Sequence, residues 1–551
     1  MQTIDQIPVT DNILNISDYL RLNAEKFPEK PALLYPEKIT YKELESEVNR
    51  YSYGLEQAGI KAGTITMLMV PAEAEFFILT FALLRIGAIL VMIDPGMGIK
   101  AMSKALTDLQ PQAFIGIPKS HLLRLLYKHV FKTIKISITT GTQFFYGKKR
   151  LKNYLNDQST LYPSRPVESN NIAAIFFTSG STGPAKGVVY TTGMLKNQIQ
   201  VTKSHFNIGT DEIDLCTFPL LGLFAICHGN SSVIADMNMI HPATLNPSKI
   251  IKNIQEYGCT QMFGSPMILN KLSQYGSATG IKLLSLRHII SAGAPVHRVI
   301  LESFSKMISK EAKIHTTYGA TEALPITDII ASELFVFNSN ETENENEIGI
   351  CIGYPVEGLD VKVIEMTDSQ IISWNDVNQM SVGEIGEIVV KGPWVTTEYF
   401  NNQDANRFSK IPDLETHEIW HRMGDLGKID QHGRLWFYGR KSQRVITSVG
   451  TLFTIPCEAV YNRHPFVARS ALVGIPANES GTKKSVICIE LKTGFHPTKK
   501  LIQELIELGN SSRLTEGISD ILFYKKFPVD PRHNAKIFRE KLAKWTIKKI
   551  K

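Results

Sequence analysis

The sequence predicts an α/β chain, and three observations carry that prediction. Short apolar runs alternate with helical patterns up to about residue 335. Gly-punctuated short strand patterns fill residues 349–440. A second alternation of strands and helices starts at about residue 441. A strand–helix–strand order implies parallel sheets covered on both faces, because each crossover helix lies back against the sheet it connects.

The elements follow in order. Thr40-Tyr41-Lys42-Glu43 is a capping box. Its hydroxyl and carboxylate satisfy two amides that the first helical turn leaves free. Leu44, Val48, Tyr51 and Leu55 then recur at helical spacing, and Gly59 is a stop signal. Residues 65–70 and 88–93 read as buried strands, with a helix over 73–85 between them. The run Asn338-Ser339-Asn340-Glu341-Thr342-Glu343-Asn344-Glu345-Asn346-Glu347 has no apolar period. It reads as an exposed loop, with an acidic docking patch as the alternative. The basic tail over 541–551, with Leu542, Trp545 and Ile550, reads as a surface helix end, with membrane-surface contact as the alternative. The sequence has no internal repeat.

Composition narrows the classes. The chain has 551 residues, 43% hydrophobic and 21% charged. That excludes a wholly disordered or collagen-like chain, and the length calls for at least two domains. Lys+Arg 60 against Asp+Glu 53 leaves a charge of +7, too diffuse to imply a nucleic-acid partner. The six cysteines contain no CxxC pair, which argues against a disulfide scaffold and a cysteine zinc site. The N-terminus lacks a basic stretch followed by an apolar one, so no secretory signal is read. Arg85 and Gly87 break the most apolar region, 76–95, and no run reaches the roughly 18 residues of a membrane span. The expectation is a cytoplasmic protein without a transmembrane segment.

One loop carries the strongest chemical signal. The apolar Ile175-Phe176-Phe177 feeds Thr178-Ser179-Gly180-Ser181-Thr182-Gly183-Pro184-Ala185-Lys186-Gly187. Small residues let backbone amides approach an anion, hydroxyls add donors and the lysine adds charge, so phosphate is the natural ligand. Lys186 lacks the preceding Gly and following Ser/Thr of a Walker A loop.

This string resembles the TSGSTGxPKG signature of the adenylate-forming superfamily, which comprises acyl-CoA synthetases, peptide-synthetase adenylation domains and beetle luciferases. Tyr318-Gly319-Ala320-Thr321-Glu322 resembles that family's YGxTE, and Ser291-Ala292-Gly293-Ala294-Pro295 its adenine-pocket segment. Gly424-Asp425 and Gly439-Arg440 resemble its ribose-binding pair. Lys536, in Asp530-Pro531-Arg532-His533-Asn534-Ala535-Lys536, matches its catalytic lysine.

The resemblance implies ATP and Mg²⁺ as cofactors. Thr178, Ser179, Gly180, Ser181, Thr182, Gly183 and Lys186 would hold phosphates. Gly293, Ala294, Pro295, Tyr318 and Gly319 would line or stack on the adenine. Thr321 would contact phosphate and Glu322 would hold the metal. Asp425 would accept the ribose hydroxyls, and Arg440 would add a bond to ribose or phosphate. Lys536 would approach the reacting carboxylate and α-phosphate. The implied architecture is a large N-terminal domain over 1–439, built of two helix-flanked sheets plus a β-rich subdomain. A small mobile α+β lid over 440–551 would follow, with the active site between the two.

Departures point to one branch. After Phe218-Pro219-Leu220, the histidine of many CoA ligases is absent. Gln443 stands where the GRxxD hinge has Asp, and residues 444–450 run one longer than usual. Thr217-Phe218-Pro219-Leu220-Leu221-Gly222-Leu223-Phe224, Ala235-Asp236-Met237, Pro456-Cys457-Glu458 and the stretch around Lys536 resemble the β-lactone synthetases of bacterial long-chain olefin biosynthesis. The implied substrate is a 2-alkyl-3-hydroxyalkanoic acid, and the products are a β-lactone, AMP and pyrophosphate. Assembly with thiolase-like, reductase and β-lactone decarboxylase proteins is implied as well. A medium- or long-chain acyl-CoA synthetase is the alternative. An amino-acid-activating enzyme would need an early Asp that Phe218-Pro219 does not fit, and a nucleotide-binding regulatory protein would not need the whole residue set. Phe218, Phe224 and Met237 are candidates for an alkyl pocket. His228 reads as structural rather than as the general base, and Cys457 as a buried inert thiol.

Overall fold

The computed structural model describes residues 15–93, 97–141, 149–155, 161–178, 185–340, 349–477, 481–518, 520–529 and 537–550. The capping box is formed: Glu43 N–H donates to Thr40 Oγ1 at 3.2 Å, and Thr40 N–H donates to Glu43 Oε2 at 2.8 Å. It opens the helix Tyr41–Gln57, which buries Leu44, Val48, Tyr51 and Leu55. The helix Ala74–Arg85 is apolar all round and buried from Phe76 onward, as expected of a helix enclosed within the fold. Its last residue, Arg85, makes two bonds of 2.7 Å to the Glu45 carboxylate and so fastens the two helices together.

Two large sheets organise the first 440 residues. The smaller runs Lys149–Arg150, Ile136–Thr139, Ala113–Gly116, Ile65–Met69, Ile89–Met92, Ile172–Phe177, Gly187–Thr191. It is parallel except for the last pair, which is antiparallel. The Gly- and hydroxyl-rich loop therefore joins neighbouring strands.

The larger sheet has fourteen strands. Its parallel limb holds Pro31–Tyr35, Ser231–Ile234, Ile213–Cys216, Gln261–Phe263, His288–Ser291 and Lys313–Ala320. Its antiparallel limb continues through Ala323–Ile330, Ile350–Pro355, Leu435–Arg440, Glu418–Ile429, Gly386–Lys391 and Asp360–Ile364. Lys410–Asp413 pairs beside Glu418–Ile429.

The β-rich region expected over 349–440 is present, and its strands prolong the larger sheet. Thr327 pairs with Pro355 and Asp328 with Tyr354, which covers an edge that would otherwise be left open. Gly353 makes this approach possible. It sits at φ +91, and a Cβ there would lie 2.2 Å from the Asp328 carbonyl oxygen. The acidic run begins differently from the loop expected: residues 338–340 close the helix Ala331–Asn340. The rest of the run falls outside the described residues.

After Arg440 come the hairpin Val445–Thr447 and Gly450–Leu452 and a three-stranded sheet of Val467–Pro476, Lys483–Leu491 and Asp520–Phe523. The helices Thr454–Asn462, Lys499–Asn510 and Arg539–Ile550 accompany it. This part has its own cores, one around Val460, Leu472, Ile487 and Leu505 and another around Val486, Cys488 and Leu542. The basic tail is a surface helix that buries Leu542 and Thr546 and sets Trp545 edge-on to Tyr524.

Candidate functional site

The site is assembled where the strand ends of the two sheets meet. Tyr318, Gly319 and Ala320 finish one strand, Thr321 and Glu322 make the turn, and Ala323 starts the return strand. Gly319 is required there, because a Cβ would sit 2.6 Å from Leu324 and 2.8 Å from the Ala323 carbonyl oxygen.

On one side of this turn lie an ion pair and the phenol bonded to it. Asp425 and Arg440 are direct partners on adjoining antiparallel strands. The Arg440 guanidinium lies 3.1 Å from Asp425 Oδ1, and the Tyr318 hydroxyl donates to Asp425 Oδ2 at 2.6 Å. Asp425 is only 2% exposed. Arg440 is held further toward its charged form, chiefly by Asp425, and burial with the Asp425 charge keeps the Tyr318 phenol protonated.

On the other side stand Glu322 and Lys186. The Tyr399 hydroxyl donates to Glu322 Oε1 at 2.7 Å. Thr396 N–H donates to the Glu322 carbonyl at 2.9 Å, and the Tyr190 hydroxyl donates to the Thr321 carbonyl. Lys186 Nζ lies 4.6 Å from the Tyr399 ring centre. Burial lowers its pKa, and Glu322 opposes that shift. Thr178 N–H donates to the Lys186 carbonyl at 3.1 Å and Lys186 N–H to Thr178 Oγ1 at 3.3 Å, which closes the neck of the loop. Segment 396–400 bridges the two sheets: Val189 N–H donates to the Glu398 carbonyl and Phe400 N–H to the Gly187 carbonyl.

Gly293, Ala294 and Pro295 follow the strand His288–Ser291. Ser291 pairs with Thr316, so this loop leaves the sheet at the level of Tyr318. The structure thus brings Thr178, Lys186, Gly293, Ala294, Pro295, Tyr318, Gly319, Thr321, Glu322, Asp425 and Arg440 to one end of the sheets. Ser179, Gly180, Ser181, Thr182, Gly183 and Lys536 lie outside the described residues.

Sequence reasoning missed Tyr399, Lys410 and His421. Lys410 and His421 are direct cross-strand partners, and both are buried. Lys410 Nζ donates to the Thr396 carbonyl and hydroxyl and lies 5.3 Å from the Tyr399 ring centre. His421 meets the same ring edge-on at 6.2 Å, and its Nδ1 is 3.1 Å from the Ser409 carbonyl. Burial lowers the Lys410 pKa to about 7, and burial with the nearby Lys410 charge takes His421 well below its usual value. The one signal for them was a charged residue at the start of a short strand whose next residue, Ile411, is fully buried.

Of the pocket candidates, Phe218 is 42% exposed and faces Phe263 at 6.0 Å, whereas Phe224 belongs to one core cluster and Met237 packs against another. Leu220, Leu223 and Phe224 border an apolar space with Met92 and Phe176. His228 is buried against the Ile199 carbonyl at 2.8 Å, and burial lowers its pKa to about 3, as suits a structural residue. Cys457 is buried with its Sγ on the Leu514 carbonyl. Gln443 accepts a bond from Arg539 Nη1 at 3.1 Å, and Arg539 also grips the Glu458 carboxylate at 2.6 and 2.7 Å. Among the described residues no helix is long and apolar enough to cross a membrane.

The family model for AMP-binding enzymes matches residues 20–400. The olefin beta-lactone synthetase of Xanthomonas campestris pv. campestris is 38% identical, with 93% of this chain and 91% of that protein covered. The enzyme of the same name from Stenotrophomonas maltophilia is also 38% identical, with 93% and 92% covered. Among solved structures, the ATP-bound RpMatB-BxBclM chimera B1 superposes with a TM-score of 0.78 at 20% identity, covering 97% of this chain and 98% of its own. That last likeness speaks for the fold.

Proposed function

Because the chain belongs to the family of AMP-binding enzymes, we propose that its site uses Mg·ATP to convert a 2-alkyl-3-hydroxyalkanoic acid into a β-lactone, AMP and pyrophosphate. The observation that carries this reading is the 38% identity to two olefin beta-lactone synthetases over 93% of the chain.

Asp425, held by Arg440 and Tyr318, presents a fixed carboxylate to the ribose hydroxyls. Tyr318 and the 293–295 loop border the adenine. Lys186 and residues 178–183 take the phosphates. Glu322 is the metal ligand in this reading. A lone carboxylate suits Mg²⁺, which draws most of its ligands from phosphate and water, and no group of three His, Cys, Asp or Glu forms a metal cluster among the described residues. When bound, Mg²⁺ neutralises charge on the phosphates.

The reaction has two steps. A carboxylate oxygen of the acid attacks the α-phosphorus and pyrophosphate leaves, giving an acyl-adenylate. The acid's own β-hydroxyl oxygen then attacks the acyl carbonyl carbon, loses its proton and expels AMP. Tethering offsets the ring strain, since the nucleophile needs only to be held near attack. Lys536, carried on a mobile C-terminal domain over 440–551, attends the oxygens where charge develops. Phe218, exposed beside Phe263, offers apolar surface for the alkyl chains in this reading. The reading places the enzyme in the cytoplasm. Thiolase-like and reductase proteins would supply the acid and a decarboxylase would consume the lactone, in an assembly with this chain.

The test is incubation with Mg·ATP and a racemic 2-alkyl-3-hydroxy fatty acid, with and without CoA. β-Lactone and AMP formed without CoA are expected. An acyl-CoA formed only when CoA is present would overturn the reading in favour of a ligase.

A further inference from the structure

A buried lysine needs a reason. Lys410 is 7% exposed and no carboxylate reaches it at ion-pair distance among the described residues. Its partners are the carbonyl and hydroxyl of Thr396 and the face of Tyr399. A methionine of similar length would fill the same space without the cost of desolvating an ammonium. A purely packing role therefore does not account for the amine and its bonds to Thr396.

The segment that Lys410 grips is the one that holds Glu322. Thr396 N–H fixes the Glu322 backbone at 2.9 Å, and the Tyr399 hydroxyl fixes its carboxylate at 2.7 Å. Lys410 meets both of these residues, one by hydrogen bonds and the other by its ring. Residues 398 and 400 are paired to the strand leaving the phosphate loop, so the same segment also sets the distance between Lys186 and Glu322. His421, the cross-strand partner of Lys410, closes the edge of the Tyr399 ring.

We propose that Lys410 is a positioning residue for the metal-binding side of the site: by tying down Thr396 and Tyr399 together it holds the Glu322 carboxylate where a metal-bridged triphosphate needs it. The proposal rests on the reading of Glu322 as the metal ligand. Its signature is specific. Loss of Lys410 weakens the part of nucleotide binding that depends on the metal and spares the part that depends on the Tyr318–Asp425–Arg440 side.

The experiment is equilibrium binding of ATP to the full chain by calorimetry, with no acid substrate, once with Mg²⁺ and once with EDTA. In the parent protein Mg²⁺ strengthens binding. In Lys410→Met that gain shrinks by about tenfold, the size expected when a group supporting a metal ligand is removed, while affinity in EDTA stays within about twofold. Lys410→Arg restores the gain. Tyr399→Phe, which keeps the ring and removes only the hydroxyl on Glu322, reproduces the loss and serves if Lys410→Met does not fold. An undiminished Mg²⁺ gain in Lys410→Met, or an equal loss in Mg²⁺ and EDTA, overturns the proposal. If Lys410→Met does not fold, an undiminished gain in Tyr399→Phe overturns it. A parent protein that binds ATP no better with Mg²⁺ overturns the reading of Glu322 itself, before any variant is measured.

Discussion

Asp214 and Asp425 lie in the same sheet, both buried, in opposite surroundings. Asp214 belongs to the parallel limb and, among the described residues, meets only neutral donors, Ser232 Oγ and Gln261 Nε2, each at 3.4 Å. Burial pushes its carboxyl up to about 7. Asp425 belongs to the antiparallel limb, where Arg440 and Tyr318 reach it at 3.1 and 2.6 Å. Both stretches are well buried: Ser231–Ile234, beside Asp214, at every position, and Glu418–Ile429, which carries Asp425, at most positions. The difference lies in the partners and not in the burial: an acid among neutral donors keeps its proton, whereas an acid whose cross-strand partner is a base keeps its charge, and there the site has formed.

The comparison breaks hardest at its charged end. Glu322→Gln keeps the size of the side chain and removes the charge. ATP–pyrophosphate exchange should fall by about a thousandfold, and a fall under tenfold would remove Glu322 from the metal role. Arg539→Ala tests a charge pair outside the nucleotide site. It strips the buried Glu458 of its bidentate partner and Gln443 of its donor. A buried charge left unpaired costs about 3 kcal/mol or more, so the denaturant midpoint of the C-terminal part should drop accordingly. A loss below about 1 kcal/mol would mean that the pair is solvated. Asp425→Asn leaves an oxygen for the ribose but unpairs Arg440. The KM for ATP should rise by about a hundredfold, the worth of about 2.7 kcal/mol in a charge-assisted hydrogen bond. An unchanged KM would detach Asp425 and its partners from nucleotide binding.

Legibility in the sequence followed the same division. Local signals were readable: the Thr40 capping box, the strands near 65 and 89 and the helix between them all stand where the patterns put them. So were residues that sit in contiguous strings, such as Tyr318 to Glu322. What escaped was set by register between distant segments. Lys410 and His421 become neighbours only because Lys410–Asp413 pairs with Glu418–Ile429, and Tyr399 reaches Glu322 only because 398–400 crosses to the other sheet. A lone lysine or tyrosine carries no periodicity of its own. The joining of Ile350–Pro355 to Ala323–Ile330 was hidden for the same reason, since a helix and an acidic run lie between the two strands in sequence.

The last prediction sharpens the comparison from its quiet end, where the effect is on stability and not on catalysis. In an unfolded chain Asp214 would ionise at about 3.9, while in the fold it keeps its proton up to about 7. Between those values the native state binds one proton more than the unfolded state. Stability therefore falls as pH rises, by about 1.4 kcal/mol per pH unit, and the loss is complete above about 7. Asp214→Asn cannot ionise; its oxygen can accept from Gln261 Nε2 while its amide nitrogen donates to the Ser232 hydroxyl oxygen. It should lack that fall, so its advantage over the parent in urea melts should be larger at pH 8 than at pH 5. An equal difference at both values would show Asp214 already ionised in the fold. At Asp425 the same replacement removes a charge that Arg440 and the site require. One substitution, made in the two limbs of one sheet, should stabilise the protein at neutral pH where the acid lacks a base and disable the site where the acid has one.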